Sequence, residues 1–196
     1  MIIISNSLID GLKERISNAV SANQSIGIIM PSNNYSDLIC SLFEYINSKS
    51  DSYWVYLTIT KPFDSIFEDY SNLFNNKNIK FIDCISHAAG ISKENPNCVY
   101  IESPSQLESI LLEIMNSFNN IDNKIKKFLI IDSLSSLVIY NDICLITEFY
   151  THLINRTRLS DITTISLTIE EEMEDNIRKI LYLKSNKIIK LKESFI

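Results

Sequence analysis

Short apolar runs and amphipathic helical stretches alternate along most of the chain. Residues 26–30 read IGIIM, and the apolar positions after the next polar turn recur three and four residues apart, as in a helix with one buried face. The same alternation continues toward the C-terminus. On this basis we predict strands over residues 26–30, 53–58, 79–83, 98–101, 127–132 and 162–167, with helices before the first strand and between most of the others.

This alternation predicts an α/β fold, with a mostly parallel central sheet and helices on both faces. Continuous apolar runs such as KFLIID at residues 127–132 are typical of parallel strands that are buried on both faces. Residues 177–183 and 187–191 flank a polar Lys-Ser-Asn segment, which predicts an antiparallel C-terminal hairpin within 177–196. We expect a single domain over residues 1–196, with an N-terminal helix within 1–22 and a core over 26–167.

Composition and charge narrow the class of protein. At 196 residues and 45% hydrophobic content, the chain is long enough to bury the core of one domain. Its net charge of −6 argues against a main role in binding nucleic acid. We interpret the lysines of residues 124–127 and of residues 184–192 as groups that keep strand edges soluble.

Cysteine usage and hydropathy favour a cytoplasmic protein. The four cysteines are far apart and form no CxxC pair, so we expect neither a disulfide framework nor a zinc site. The sequence has no apolar run of the roughly 20 residues that span a bilayer. The apolar start at residues 1–4 is too short for a signal peptide. We therefore expect a protein of the cytoplasm that does not enter a membrane.

Two stretches resemble a known family. Residues 128–141 read FLIIDSLSSLVIYN, an apolar strand that ends in Asp and continues with Ser-Leu-Ser, and residues 54–66 read WVYLTITKPFDSI. The first resembles the Walker B region, and the second the second strand, of the KaiC-like and RadA-like branch of the RecA superfamily. The resemblance implies a RecA-like three-layer sandwich with a nucleotide site beyond the carboxyl ends of the strands.

The segment that would bind phosphate departs from that family. A Walker A loop has the form GxxxxGK[ST], because glycines let backbone N–H groups surround phosphate while the lysine and hydroxyl bind the outer phosphates and Mg²⁺. Residues 31–37 read PSNNYSD, with no glycine and with Tyr35 or Ser36 at the lysine position. Asp37 adds a carboxylate that would repel a polyphosphate. The catalytic glutamate of the family aligns with Thr60, which has no usable base.

Five residues are candidates for a vestigial nucleotide site, and each has a structural alternative. The polar side chains of the turn could donate hydrogen bonds to an anion, or could simply form an Asx-type turn before the helix. Asp132 could hold Mg²⁺ through water, as the resemblance implies, or could cap the turn that follows its strand. We assign no catalytic residue, no metal ligand and no cofactor; the candidates are Ser32, Asn33, Asn34, Ser36 and Asp132.

The family-like order of strands and helices, together with the missing Walker A residues, predicts a catalytically inactive, RecA/KaiC-like pseudo-ATPase. It would act as a protein-binding or regulatory module. RecA-type subunits usually assemble with one surface against the next nucleotide site, so the resemblance implies self-association or an active paralogue as partner. Two alternatives stay open. One is a nucleotide-binding protein or ATPase in which Asn33, Asn34 and Ser36 replace the usual donors. The other is a DNA recombination accessory protein that binds through C-terminal lysines, against which the negative net charge argues.

Overall fold

A computed structural model describes residues 6–73, 78–91 and 94–192 of the chain. The helices are α1 (Asn6–Ala22), α2 (Tyr35–Asn47), α3 (Phe63–Asp69), α4 (Leu107–Asn116), α5 (Ile143–Leu159) and α6 (Asp175–Lys184). The strands are β1 (Ser25–Met30), β2 (Ser52–Thr58), β3 (Ile79–Asp83), β4 (Cys98–Tyr100), β5 (Lys126–Asp132), β6 (Ile162–Ile169) and β7 (Lys187–Lys190). Among the helices in these ranges, none is both long enough and apolar enough to cross a membrane.

The seven strands lie in one sheet, in the order β4-β3-β2-β5-β6-β1-β7. Every pair of neighbouring strands in this sheet is parallel. The prediction of an α/β fold with a parallel sheet is therefore confirmed. Because parallel strands end on the same side, the loops that follow β1, β2, β5 and β6 meet along one edge, which we call the carboxyl edge.

Helices cover both faces of this sheet. On one face, α1, α2 and α3 pack over a core that contains Leu42 and Tyr56. On the other face, α4, α5 and α6 pack over a core that contains Leu57 and Leu153. Since neighbouring residues of a strand point to opposite faces, Tyr56 and Leu57 of β2 belong to different cores.

The predicted antiparallel C-terminal hairpin is wrong. The residues assigned to its first strand lie in α6, and β7 pairs with β1 in parallel orientation. Ile177, Ile180 and Leu181 are buried, and their spacing is that of one helix face. A short apolar run with this spacing fits either a strand or a helix. Because β7 is parallel to the other strands, the chain between β6 and β7 must cross over the sheet, and α6 forms that crossover. The DNA-binding alternative loses its hairpin, and Lys190 of β7 pairs with Glu170 at 2.5 Å.

Candidate functional site

Four connections meet at the carboxyl edge of the sheet. They are the 3-10 turn Ser32–Asn34 after β1, residues 59–62 after β2, the 3-10 turn Ser135–Ile139 after β5, and the 3-10 turn Glu170–Glu172 after β6. Between them lies a cavity of about 300 Å³, which we call the edge cavity. Its lining includes Tyr35, Thr60, Lys61, Ser136, Ile139 and Glu172.

Asp132 is fully buried at the end of β5, where two tyrosines donate hydrogen bonds to it. The hydroxyl oxygens of Tyr35 and Tyr56 each lie 2.5 Å from Asp132 Oδ2. The Tyr35 hydroxyl also lies 3.1 Å from Oγ1 of Thr60. Oδ1 of Asp132 is buried without a hydrogen-bond partner among the described residues. These four side chains form a polar group that we call the Asp132 cluster.

The short connection between β1 and α2 explains how Tyr35 reaches Asp132. After Pro31 the chain enters the turn Ser32–Asn34, which is closed by a 3.0 Å hydrogen bond from the Asn34 N–H to the Pro31 carbonyl. Tyr35 is then the first residue of α2, at one of the two positions that align with the Walker A lysine. The long side chain of Tyr35 extends across the edge to Asp132 at the end of β5.

Burial dominates the electrostatics of the Asp132 cluster. It raises the pKa of Asp132 above the ordinary carboxyl value, and the hydrogen bonds from Tyr35 and Tyr56 oppose that rise. Burial and the neighbouring carboxylate raise the pKa of both tyrosines well above the ordinary phenol value. The two hydroxyls therefore keep their protons near neutral pH and donate to Asp132. A metal-bound water at Oδ2 would have to displace at least one of these donors.

A second carboxylate occupies the start of the turn after β1. Both carboxylate oxygens of Glu171 lie 3.0 Å from the backbone nitrogen of Ser32, and Oε1 lies 2.9 Å from Ser32 Oγ. The backbone N–H of Ser32 lowers the pKa of Glu171, because it stabilises the charged form. Next to it, Glu172 accepts a hydrogen bond from the Ser136 hydroxyl at 3.1 Å. Backbone N–H groups at such a turn are those that would face a phosphate, and here a side chain accepts one of them.

The other predicted turn residues have separate surroundings. Asn34 is buried, and its side-chain amide donates to the Lys192 carbonyl at 3.0 Å. Ser36 is exposed, and its hydroxyl lies 3.2 Å from the Tyr70 hydroxyl. Asn33 is exposed at the tip of the turn. The structure thus brings the predicted turn residues to the carboxyl edge, while the contacts with Asp132 come from tyrosines.

Three residues of this edge were missed as candidates from the sequence. Tyr35 has a usable signal, since it aligns with the Walker A lysine, but its reach to Asp132 does not follow from that alignment. Tyr56 sits in an aromatic strand and is typical of sheet packing. Glu171 is 139 residues from Ser32 in the chain, and no sequence pattern links them.

Comparisons with known proteins show which solved structures share this fold. No protein-family model matches the sequence, and no curated protein matches it either. A KaiC-like protein from the archaeon Pyrococcus horikoshii matches with a TM-score of 0.55 and 14% identity, over 88% of this chain and 74% of that one. The flagellar accessory protein FlaH from Methanocaldococcus jannaschii matches with a TM-score of 0.51 and 12% identity, over 91% and 76%.

A further neighbour is an uncharacterised Pyrococcus horikoshii protein solved in complex with an unknown peptide. It matches with a TM-score of 0.63 and 14% identity, over 92% of this chain and 83% of that one. The shared fold is that of RecA-like ATPases. At these identities the likeness shows the fold alone. The resemblance to KaiC-like proteins found in the sequence is confirmed at that level.

Proposed function

We propose that this protein is a catalytically inactive member of the RecA-like fold, a pseudo-ATPase that serves as a protein-binding or regulatory module. The observation that carries the proposal is the pair of 2.5 Å hydrogen bonds from Tyr35 and Tyr56 to Asp132. A lysine at position 35 would neutralise the outer phosphates of a nucleotide. A phenol that keeps its proton supplies no positive charge, and here it is already bonded to the carboxylate.

Other groups at the carboxyl edge support the same proposal. Glu171 brings a negative charge onto the backbone N–H of Ser32, at the turn where phosphate would bind. Asp37 adds a carboxylate in the first turn of α2, where it interacts favourably with the positive end of the helix dipole and would repel phosphate. Thr60 stands where a general base is needed, and its hydroxyl lies against Tyr35.

The decisive experiment is thermal unfolding with and without millimolar Mg·ATP or Mg·ADP. A ligand that binds only the folded state adds about 2.7 kcal/mol at a hundredfold excess over its Kd. For a domain of this size that corresponds to about 5–11 °C in the unfolding midpoint. We expect no shift and no ATP hydrolysis. A shift that Asp132→Asn removes, or hydrolysis that Asp132→Asn abolishes, would overturn the proposal.

A nucleotide-binding protein with an unorthodox loop is the second candidate, and Lys61 is the observation that favours it. Its ammonium group lines the edge cavity and lies 5.7 Å from the centroid of the Tyr35 ring. Its ion pair with Asp69, at 3.1 Å, is largely exposed and therefore contributes little. This candidate predicts a Mg²⁺-dependent shift with nucleotide that Lys61→Gln removes. Lys124→Gln, an exposed change in another loop, should leave such a shift intact.

The binding role rests on apolar side chains beside the edge cavity. Ile139 is 71% exposed and Tyr140 is 41% exposed, and both line that cavity. Solvated isoleucine and tyrosine side chains at a cavity rim are typical of surfaces that contact another protein. The structural neighbour that was solved with a peptide supports a protein or peptide as partner. We propose that the partner is a second copy of this chain or an active relative, docked at the carboxyl edge.

Ile139→Asp tests this surface, with Leu159→Asp as its matched control. Leu159 is 89% exposed but ends α5, next to the start of β6 at the opposite edge of the sheet. We expect the mass measured by light scattering to rise with protein concentration, and Ile139→Asp alone to weaken that rise. A wild-type protein that stays monomeric at every concentration would exclude self-association. Equal effects of both variants would exclude the carboxyl edge as the interface.

A further inference from the structure

A second cavity, of about 490 Å³, lies at the opposite edge of the sheet. It is bordered by the C-terminal ends of α1 and α2 and by the first residues of β2, β5 and β6. We call it the amino-edge cavity. Its volume falls within the range of about 300–1,000 Å³ that is usual for sites of small organic ligands. Its lining includes Tyr45, Lys49, Asp51, Lys126, Lys127, Phe128 and Asp161.

Three lysines of the amino-edge cavity have no acidic partner within the part of the chain that the structure describes. Among the described residues, Lys49, Lys126 and Lys127 form no ion pair with a carboxylate. The ammonium of Lys49 lies 5.3 Å from the centroid of the Tyr45 ring, and that of Lys127 donates to Asn123 Oδ1 at 3.1 Å. Both contacts are with neutral groups. The positive charges are therefore available to an anion that enters the cavity.

Two aspartates also line the cavity, and they do not cancel the lysines. Three lysines minus two aspartates, Asp51 and Asp161, leave a net charge of +1. Asp161 Oδ1 accepts a hydrogen bond from the Gln24 side-chain amide at 3.2 Å, so part of its acceptor capacity is used within the protein. The same lining thus combines cations for an anionic group with polar groups for the rest of a ligand.

Two aromatic residues also contribute to the lining. Tyr45 and Phe128 line the cavity, and both pack on the buried Trp54, with ring centroids 5.9 Å and 4.1 Å from it. Tyr45 and Phe128 are only 4% and 5% exposed, so each offers a small apolar area to a ligand. Apolar atoms beside ammonium groups that have no carboxylate partner among the described residues favour a ligand that joins a ring to an acidic group.

We propose that the amino-edge cavity binds a small organic anion, with a phosphate or carboxylate group on Lys49, Lys126 and Lys127 and a flat ring toward Tyr45 and Phe128. The site lies at the other end of the strands from the Asp132 cluster. It does not depend on whether the carboxyl edge binds a nucleotide. It also gives Lys126 and Lys127 a role beyond keeping a strand edge soluble.

AMP without Mg²⁺ is a suitable probe. Its binding is measured by calorimetry and by the change in Trp54 fluorescence. This is the sole tryptophan of the chain, so its emission reports on Tyr45 and Phe128, which pack against it. We expect saturable binding of AMP at millimolar concentration and none of neutral adenosine. Lys126→Gln with Lys127→Gln should weaken AMP binding by about 10- to 150-fold per lost charged hydrogen bond. The exposed Lys124, in the same segment, provides the control variant Lys124→Gln, which should bind AMP normally.

Several outcomes would overturn the assignment. Absence of saturable AMP binding, or equal affinity in the lysine variants, would remove the site. An AMP affinity that changes with Tyr35→Phe but not with the lysine variants would place the ligand at the carboxyl edge. Tighter binding of a short single-stranded oligonucleotide than of AMP, with the same dependence on the lysines, would assign the cavity to nucleic acid.

Discussion

Tyr56→Phe tests the hydrogen bonding that fills the site of Asp132. The Tyr56 ring is fully buried and packs against Phe43 and Phe81, with centroids 5.6 Å and 5.3 Å away. Phenylalanine keeps these ring contacts and removes only the hydroxyl, which lies 2.5 Å from Asp132 Oδ2. A hydrogen bond to a charged group contributes about 1.5–3 kcal/mol. We therefore expect a loss of that size in the free energy of unfolding, or about 3–12 °C in the midpoint.

Tyr150→Phe is the matched control for this change. Tyr150 is also fully buried, but its hydroxyl lies 2.9 Å from Ser166 Oγ, which is a neutral partner. A neutral hydrogen bond contributes about 0.5–1.5 kcal/mol, so this variant should lose less stability. Urea unfolding measures both, and an unchanged slope with denaturant shows that the variants unfold in the same way as the wild type.

Combining Tyr56→Phe with Asp132→Asn shows whether the charge of the carboxylate matters. Asparagine keeps an oxygen acceptor for the hydroxyls but carries no charge, so the loss caused by Tyr56→Phe should fall to that of a neutral bond. The difference between the two backgrounds is the coupling energy of the pair. Equal losses in both backgrounds, or a loss no larger than that of Tyr150→Phe, would refute a charged hydrogen bond at Asp132.

Three further predictions follow from buried groups. Burial raises the pKa of Asp132 in the folded state. Between about pH 4 and that raised pKa the unfolded state therefore binds fewer protons than the folded state, so the free energy of unfolding falls as pH rises. Asp132→Asn should remove this slope in urea unfolding at several pH values. Gly27→Ala places a Cβ 2.7 Å from Ile188 Cδ1 and should lower the unfolding free energy by about 1–3 kcal/mol. Asp83→Ala removes the acceptor of three backbone N–H groups and one hydroxyl, and thermal unfolding should show a loss above about 3 kcal/mol.

The sheet could be predicted from the sequence because its strands are buried on both faces. Runs such as residues 127–132 are continuously apolar, and this pattern separates them from the amphipathic helices. The error at α6 has a local cause. Its apolar residues fit a short strand as well as one helix face, and the pairing of β7 with β1 links parts of the chain that are far apart. The order of strands across the sheet depends on such long-range pairing, which produces no periodic pattern in the sequence.

The location of the candidate site could be predicted from the sequence, but the side-chain contacts within it could not. The alignment with a Walker A loop located the turn after β1, and the resemblance to a Walker B region located Asp132, since both patterns depend on local order along the chain. The contacts of Asp132 with Tyr56 and of Ser32 with Glu171 span 76 and 139 residues. They depend on how far side chains reach between elements that only the fold brings together. Neither the tyrosine nor the glutamate could be linked to its partner from the sequence, because tyrosine is common in strands and glutamate is common in loops.

The carboxyl edge must satisfy its buried polar groups with or without a ligand. A buried carboxylate costs stability when it lacks a partner. Here two tyrosine hydroxyls donate to Asp132 Oδ2, while Oδ1 has no partner among the described residues, and the Glu171 carboxylate accepts from the exposed Ser32 N–H. A ligand group that approached Asp132 Oδ2 or the Ser32 N–H would have to displace these internal groups. The strand–turn–helix arrangement at this edge is thus held by contacts within the protein.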